Sequence, residues 1–471
     1  MQQLNAKSVD LIYLDPPFKS DRDYNSIYKD ETGRPLPDQV RAFTDTWEYS
    51  SGTEKAIRNT TIKMLTSGID ENQVKMWEHF TKGLKAFDDE LLTYAVYMAE
   101  RILEMKRLLK DTGSIYLHYD PSASHYLKIL MDIIFGEKNY INELIWSYRT
   151  GGVSRRYFSK KHDIIFLYSK NPKYIFNQQF EKSYTKSKTR RPGIINYGAG
   201  HAEFFEDENG VYNWVNMRDV WDISYLNSQS SERLGYATQK PLTLLERIIS
   251  ASSNEGDVVL DPFCGCATTI EAAHMLKRNW LGIDIAIHAI NRVSRDRLKN
   301  RLNLDNEKDY LIEGIPMSFE GAADLWKQDH FEFQKWAVEE VDGFVTNRKT
   351  SDGGIDGRIY FAEPNVRELQ SMILEVKGGK NVNVNILRDL SGTLNRDDAK
   401  MAGLILLHEI SDRKRRNFEK EIAANGFVEI DGKSYPKIQI LTIAEILDGR
   451  SFDLPGYARG RSSTAQDQLP L

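Results

Sequence analysis

Gly256-Asp257-Val258-Val259-Leu260-Asp261-Pro262-Phe263-Cys264-Gly265-Cys266-Ala267-Thr268-Thr269 opens a segment that runs on to Asn279-Trp280-Leu281-Gly282-Ile283-Asp284. The order is strand, loop of small residues, helix, strand, acid. That is the geometry of a nucleoside-binding βαβ unit, in which Gly265 lets the backbone approach a ligand at the start of a helix. A carboxylate at the end of the second strand can accept hydrogen bonds from ribose hydroxyls, and Asp284 stands there. Ala267 replaces a later glycine of the G-x-G-x-x-G pattern, so a dinucleotide is not favoured, and no P-loop lysine asks for a triphosphate. Two readings remain: an adenosine-type cofactor, or a purely structural βα turn. Cys264 and Cys266 are the two cysteines of the chain; without a second pair they make a poor metal site and read as small buried thiols. They cannot build a disulfide framework and suit a reducing cytoplasm.

Outward from this unit, the same alternation recurs. Val9-Asp10-Leu11-Ile12-Tyr13-Leu14 is an apolar run of strand type that must stop at Asp15-Pro16-Pro17-Phe18, because two consecutive prolines cannot donate to a sheet ladder. Residues 19 to 75 are polar and read as a long loop or lid. Leu91, Leu92, Ala95, Met98, Ile102, Met105 and Leu109 predict a helix over about 90–110, closed by Gly113 and followed by a strand at 114–118. A further helix is expected over 122–135, ending at Gly136. Helix and strand in alternation imply a parallel, layered α/β domain. A length of 471 residues predicts more than one core. With 68 acidic against 63 basic groups the net charge is −5, so any nucleic-acid footprint must be local. No apolar run approaches the length of a membrane span, and the first residues carry no signal pattern, so a cytoplasmic location is expected.

Two stretches carry chemistry. An exocyclic amino group on a base is a weak nucleophile because its lone pair is delocalised into the ring. Catalysis needs acceptors for its hydrogens and an aromatic face for the ring. The Asp15 carboxylate and the Pro16 carbonyl supply the first, with Pro17 stiffening the turn, and Phe18 supplies the second. The base must leave the duplex to reach them. The alternative is a capped strand end with two rigid prolines. Residues 149 to 191 hold twelve Lys or Arg, among them Arg149, Arg155, Arg156, Lys160 and Lys161, against Asp163 and Glu181 alone, with aromatic residues interleaved. Such a pattern suits phosphate neutralisation plus stacking on bases; a solvated basic face is the other reading.

Asp15-Pro16-Pro17-Phe18, then Thr238-Gln239-Lys240-Pro241, then Asp261-Pro262-Phe263-Cys264-Gly265 resemble the amino-methyltransferases of DNA in the circularly permuted β-class, where the catalytic motif precedes the cofactor motif. Residues 108–116 and 162–168 also resemble that class, and the likeness covers about 1–300. It implies a Rossmann-like, S-adenosylmethionine-dependent α/β fold over 1–310 with a target-recognition insert at 149–235. It also implies a cofactor held by Asp261, Pro262, Phe263, Gly265, Thr268 and Asp284 with Lys240 and Pro241 nearby, and double-stranded DNA as partner. A homodimer is left open. An acidic first residue in the catalytic motif resembles adenine-N6 enzymes, with cytosine-N4 or RNA methylation as the alternative. Members of the class carry a further strand and a Gly-Asp turn before the catalytic motif. This sequence starts almost at that motif, so either part of the adenine-ring pocket is missing or the start is assigned late.

Beyond residues 303–309 a second block is expected at 325–447, in the order helix (330–341), strand (358–361), strand (373–376), helix, strand (403–407), helix, strand (438–443), with a mobile tail at 448–471. Asp352-Gly353-Gly354-Ile355-Asp356-Gly357 precedes the first strand, and Ile373-Leu374-Glu375-Val376-Lys377 forms the second. Alternation puts Glu375 and Lys377 on one face. This resembles the PD-(D/E)xK restriction-endonuclease core, which implies Mg²⁺ held by Asp356 and Glu375 beside Lys377 and a phosphodiester-cleaving site. A structural ion pair on a strand, or a catalytically silent DNA-binding domain, is the alternative.

Overall fold

Val9–Leu14 forms β1, a strand buried along its whole length, and the prolines at 16 and 17 end it. The computed structural model describes residues 1–17, 24–25, 41–43, 47, 49–119, 124–148, 155–186, 191–197, 200–226, 230–234, 238–285, 289–306, 308–346, 354–361, 363, 369–397, 399–430 and 432–455. The chain divides into two units, one of Met1–Arg22, Asp45–Arg233 and Thr238–Ile285, the other of Asp23–Thr44, Leu234–Ala237 and Ala286–Leu471. No helix among the described residues is long and apolar enough to cross a membrane.

After β1, the short strands β2 (Tyr24–Asn25) and β3 (Arg41–Phe43) pair with each other. Three helices follow, α1 (Ser51–Thr66), α2 (Glu71–Phe87) and α3 (Asp89–Leu108). Then come β4 (Leu109–Tyr119), α4 (Ser124–Phe135), β5 (Tyr140–Ser147) and β6 (His162–Ser169). Four strands, β7 (Phe180–Tyr184), β8 (Gly193–Tyr197), β9 (Gly200–Asp207) and β10 (Gly210–Asn216), make a separate antiparallel sheet in the order β7-β10-β9-β8. The first unit closes with β11 (Val220–Asp222), α5 (Leu242–Ser252), β12 (Val258–Asp261), α6 (Thr268–Met275) and β13 (Asn279–Gly282).

The main sheet runs β11-β5-β6-β4-β1-β12-β13. β1 is parallel to both β4 and β12, β12 is parallel to β13, and β6 is antiparallel to β4 and β5. The C-terminal ends of β1, β12 and β13 therefore share one edge with the start of β6. Leu244, Leu245, Ile248 and Ile249 of α5 cover one sheet face, packing with Leu11, Tyr13, Tyr116, Leu144 and Trp146. Each such buried aliphatic side chain contributes about 1.5–3 kcal/mol.

In the second unit α7 (Arg295–Leu302), α8 (Phe319–Gln328) and α9 (His330–Glu340) precede β14 (Phe344–Val345), β15 (Gly357–Phe361) and β16 (Gln370–Lys377). α10 (Asn385–Arg396), β17 (Met401–Leu406), α11 (Asp412–Asn425), β18 (Phe427–Ile430), β19 (Lys433–Pro436), β20 (Ile438–Thr442) and α12 (Ile443–Leu447) complete it. Its sheet runs β14-β15-β16-β17-β20, antiparallel through β16 and parallel after it. Phe333, Trp336 and Ala337 of α9 pack on one face with Met372 and Leu374; Leu387, Leu390 and Phe418 pack on the other with Ile373 and Leu404. The expected order of elements from 330 onward is found.

Three expectations need correction. Residues 51–75 are not a loop: they hold α1 and the start of α2. Ser50 and Thr53 form a capping box for α1 and Asp70 caps α2, but the inner face of α1 is Thr53, Thr60 and Met64, so its polar composition hides the helical period. Gly113 does not close the preceding helix, which ends at Leu108; it lies inside β4. A Cβ there would meet Leu109 Cδ2 at 2.8 Å and the Asp10 carbonyl at 2.9 Å, so glycine serves the close approach of β1 at a register shift. The helix over 319–328 has no counterpart in the expected order, and the strand expected to reach 443 stops at Thr442, where Thr442 and Glu445 cap α12.

Candidate active site

Asp15 follows β1 at the shared sheet edge, with Pro16 buried and Pro17 half-buried beside it; Phe18 lies outside the described residues. Oδ2 of Asp15 accepts from Lys240 Nζ in an ion pair whose side chains are 15% and 11% exposed. Oδ1 of Asp15 is buried and finds no hydrogen-bond partner among the described residues. Burial works against charge on Lys240, but the charge and hydrogen bond of Asp15 and the charge of Asp163 raise its ammonium above the usual lysine value. Sequence pattern placed Lys240 beside a cofactor; the structure places it on Asp15. Gln239 is buried and donates to the Glu232 carbonyl, and Glu232 in turn accepts from the Leu242 amide at the start of α5, which holds the 238–241 segment in place.

Behind Asp15 lies a chain of side chains that crosses four neighbouring strands. Tyr13 Oη of β1 and His118 Nδ1 of β4 are 2.7 Å apart, and His118 Nε2 is 3.1 Å from Asp163 Oδ2 of β6. Tyr148, just after β5, donates to Asp163 Oδ1 at 3.0 Å. Burial opposes the Asp163 charge, yet the hydrogen bond and charge of His118, with Lys240 and Tyr148, hold its carboxyl below the usual value. A carboxylate only accepts, so His118 donates through Nε2 and its Nδ1 accepts from the Tyr13 hydroxyl. Burial and the nearby charges of Asp15, Asp261 and Asp163 push that phenol well above its usual pKa. Sequence reasoning assigned no role to Tyr13, His118 or Asp163. The available signal was a polar ring atom or acid inside otherwise apolar strands.

At the end of β12, Asp261 turns inward: Oδ1 accepts from the Phe263 amide at 3.0 Å and Oδ2 from Thr269 Oγ1 at 2.5 Å. Burial pushes its carboxyl up to about 7 against those two hydrogen bonds, and the charges of Asp15 and Asp284 add to the rise. Asp261 thus shapes the loop of Pro262, Phe263, Gly265 and Thr268. Gly265 has φ +46° and Ala267 φ +60°, and the first turn of α6 has no side-chain cap. Asp284 closes the arrangement by accepting from the Gly265 amide at 2.8 Å. Cys264 and Cys266 are buried free thiols, and a Cβ at Gly282 would stand 3.0 Å from Cys264 Sγ. Pro241 is buried at the start of α5.

Arg155, Arg156 and Lys160 are exposed, with Tyr157 68% and Phe158 99% exposed between them; Lys161 is half-buried. They lie on the β5–β6 connection, at the edge that carries Asp15; Arg149 lies outside the described residues. The basic stretch is not one surface, because β6 is an interior strand of the main sheet and Lys182 sits in the separate sheet, paired with Asp207 at 2.6 Å.

In the second unit Asp356 stands just before β15, its amide donating to the Leu374 carbonyl at 2.8 Å and its Oδ2 accepting from the Val376 amide at 2.7 Å. Lys377 Nζ pairs with Glu375 Oε1 at 2.8 Å. Burial pushes the Glu375 carboxyl up, against the hydrogen bond and charge of Lys377. No group of three or more His, Cys, Asp or Glu side chains among the described residues stands in a metal-binding arrangement. Asp352 and Gly353, and residues 456–471 of the expected tail, lie outside the described residues.

The parallel sheet, the acid–proline turn on its central strand and the small-residue loop beside it are features of a methylase sheet. The profile of the N6/N4 DNA methylase family matches residues 9–295, more than half of the chain, and the protein belongs to that family. Among curated relatives, the Type II methyltransferase M.EcaI of Enterobacter cloacae is 29% identical over 267 residues, covering 45% of this chain and 59% of that protein. The Type II methyltransferase M.HpaI of Haemophilus parainfluenzae is 31% identical over 211 residues (45% and 61%). The DNA adenine methyltransferase YhdJ of Escherichia coli (strain K12) is 30% identical over 210 residues (44% and 67%). The chain thus spans about three fifths of the length of the first two.

Proposed function

We propose that the first unit transfers a methyl group from S-adenosylmethionine to the exocyclic N6 of adenine in a specific DNA sequence, as the modifying half of a restriction–modification system. The observation that carries this is Asp15: one carboxylate oxygen is fixed by Lys240, and the other is buried without a partner among the described residues. A buried lone acceptor costs free energy unless a ligand donates to it. A flipped base offers an amine that does so. Asp15 Oδ1 accepts from that amine as its nitrogen becomes tetrahedral, and the Pro16 carbonyl is the second acceptor. Phe18 is the ring face.

The donor set fits the cofactor. Gly265 and Ala267 hold left-handed backbone, α6 begins without a side-chain cap, and the half-buried Asp284 carboxylate stands at the end of β13. When bound, S-adenosylmethionine supplies an electrophilic methyl group on a sulfonium. Adenine over cytosine is supported by the acid at position 15 and by the activity named for YhdJ. The exposed Arg155, Arg156 and Lys160 suit the phosphates of duplex DNA. Methylated DNA digested to nucleosides and analysed by mass spectrometry should contain N6-methyladenine; N4-methylcytosine, or methylation of RNA alone, overturns the reading.

A second reading concerns the second unit. The ion pair of Glu375 and Lys377 on β16, with the Asp356 carboxylate bonded to the Val376 amide between them, supports Mg²⁺-dependent DNA cleavage. Two carboxylates suit Mg²⁺, which would polarise a phosphate, and Lys377 would orient the attacking water. Cleavage of unmethylated, adenine-methylated and cytosine-methylated duplexes with Mg²⁺ or Mn²⁺ tests it. DNA binding without cleavage of any of them makes the unit a silent reader.

A further inference from the structure

Lys240 reaches Asp15 from the segment before α5, on the sheet face that α5 covers. Tyr13 and Asp15 alternate onto that face of β1. His118 and Asp163 continue it across β4 and β6, so the hydrogen-bonded chain Tyr13–His118–Asp163–Tyr148 follows the strand order β1-β4-β6-β5. His118 is fully buried, and its ring stands edge-on to Trp146 at 5.5 Å between centroids. A buried histidine with both ring nitrogens bonded fixes the orientation of the carboxylate it touches.

The geometry points to Asp163 as a second counter-ion of Lys240, oriented by His118 and Tyr148. The two carboxylates hold the ammonium on Oδ2 of Asp15 and so reserve Oδ1 for the target amine. Asp163 and His118 are positioning residues. The inference builds on the methyl-transfer reading of Asp15, but its lysine half stands apart from it. Three groups act on the ammonium: Asp15 from β1, Asp163 from β6 and Tyr225 after β11. Without the charge of Asp163 the ammonium loses its proton more readily, and a neutral amine lets the Asp15 carboxylate rotate.

Asp163→Asn keeps acceptors for His118 and Tyr148 and removes only the charge. In the full chain it should lower kcat about tenfold, the effect of one pKa unit at the lysine, with the KM for S-adenosylmethionine unchanged. In a Lys240→Met background the same change should add nothing. His118→Gln, which still donates to Asp163, should retain more activity than His118→Ala. Independently of turnover, pulse acetylation of Lys240 followed against pH by mass spectrometry should show its midpoint about one pH unit lower in Asp163→Asn. An unchanged midpoint, or additive effects with Lys240→Met, overturns the inference. A wild-type chain that methylates no nucleic acid overturns the methyl-transfer reading instead, while the acetylation midpoint still decides the counter-ion.

Discussion

Each unit carries a lysine–carboxylate pair at its sheet, and the two pairs differ in kind. Glu375 and Lys377 are two residues apart on one strand, and the lysine is 41% exposed. Asp15 and Lys240 are joined across 225 positions of chain, and the lysine is 11% exposed. Strand alternation alone creates the first pair. The second exists only because α5 packs its preceding segment against the end of β1. An exposed pair is worth at most about 1 kcal/mol and persists for many structural reasons. A pair taken out of water, with one carboxylate oxygen left over, costs free energy in the empty site and points to a ligand.

The largest effect that would break this contrast is on turnover. Asp15→Ala should lower methyl transfer by about 10²–10³-fold, the scale of removing one hydrogen bond made in the transition state. Its affinity for S-adenosylmethionine, measured by calorimetry, should hardly change. An equal loss of both would place Asp15 in the cofactor pocket. Lys377→Ala should abolish metal-dependent cleavage while leaving methyl transfer intact, if the second pair is also a working site. The next effect is on stability. Lys240→Met leaves a buried carboxylate without its partner and should destabilise the first unit by about 3–5 kcal/mol; Lys377→Met should cost under about 1 kcal/mol. Thermal unfolding of the two variants compares them directly, and similar shifts would erase the distinction.

Much of this was legible in the sequence where chemistry and local order coincide. The acid–proline turn ends β1 because proline cannot pair, and the small-residue loop at 262–268 follows from backbone needs at Gly265. The element order of the second unit follows from apolar runs bounded by turn residues. What stayed hidden depends on tertiary packing. Helix α1 buries threonines, so composition hides it. Lys240 carries a motif but no clue that its partner is Asp15. Asp261 sits where a ligand-binding acid is expected, yet both its oxygens are spent on Phe263 and Thr269, a use that only the folded loop displays.

That inward turn has a pH signature. Burial raises the Asp261 carboxyl from 3.8 to about 7. Between those values the folded state binds a proton that the unfolded state has lost, so this group's stabilisation is full below about pH 4 and fades as pH rises through 7. Asp261→Asn removes the titration. Denaturant unfolding from pH 5 to 8 should therefore show a smaller decline in the variant than in the wild type. Glu339 of α9, also raised to about 7 by burial, gives the second unit the same sign of dependence, which Glu339→Gln should remove without touching the first.

The smallest effect separates the rim from the interior. Arg155 and Arg156 are exposed on the β5–β6 connection, while the strand that follows them is buried. If the connection meets phosphates, each arginine that does so releases condensed counter-ions, and the slope of log K against log salt falls by about 0.9 for every phosphate no longer neutralised. The double change to Ala should therefore weaken binding of every duplex alike, cognate or not, and flatten the salt dependence by up to about two such steps. The identity of the methylated base should not change, because groups that touch only the DNA backbone position a protein without reading sequence. Binding isotherms at several salt concentrations, on one cognate and one scrambled duplex, measure both quantities. An unchanged slope would make these arginines a solvated face. A loss confined to the cognate duplex would instead mean that they read bases.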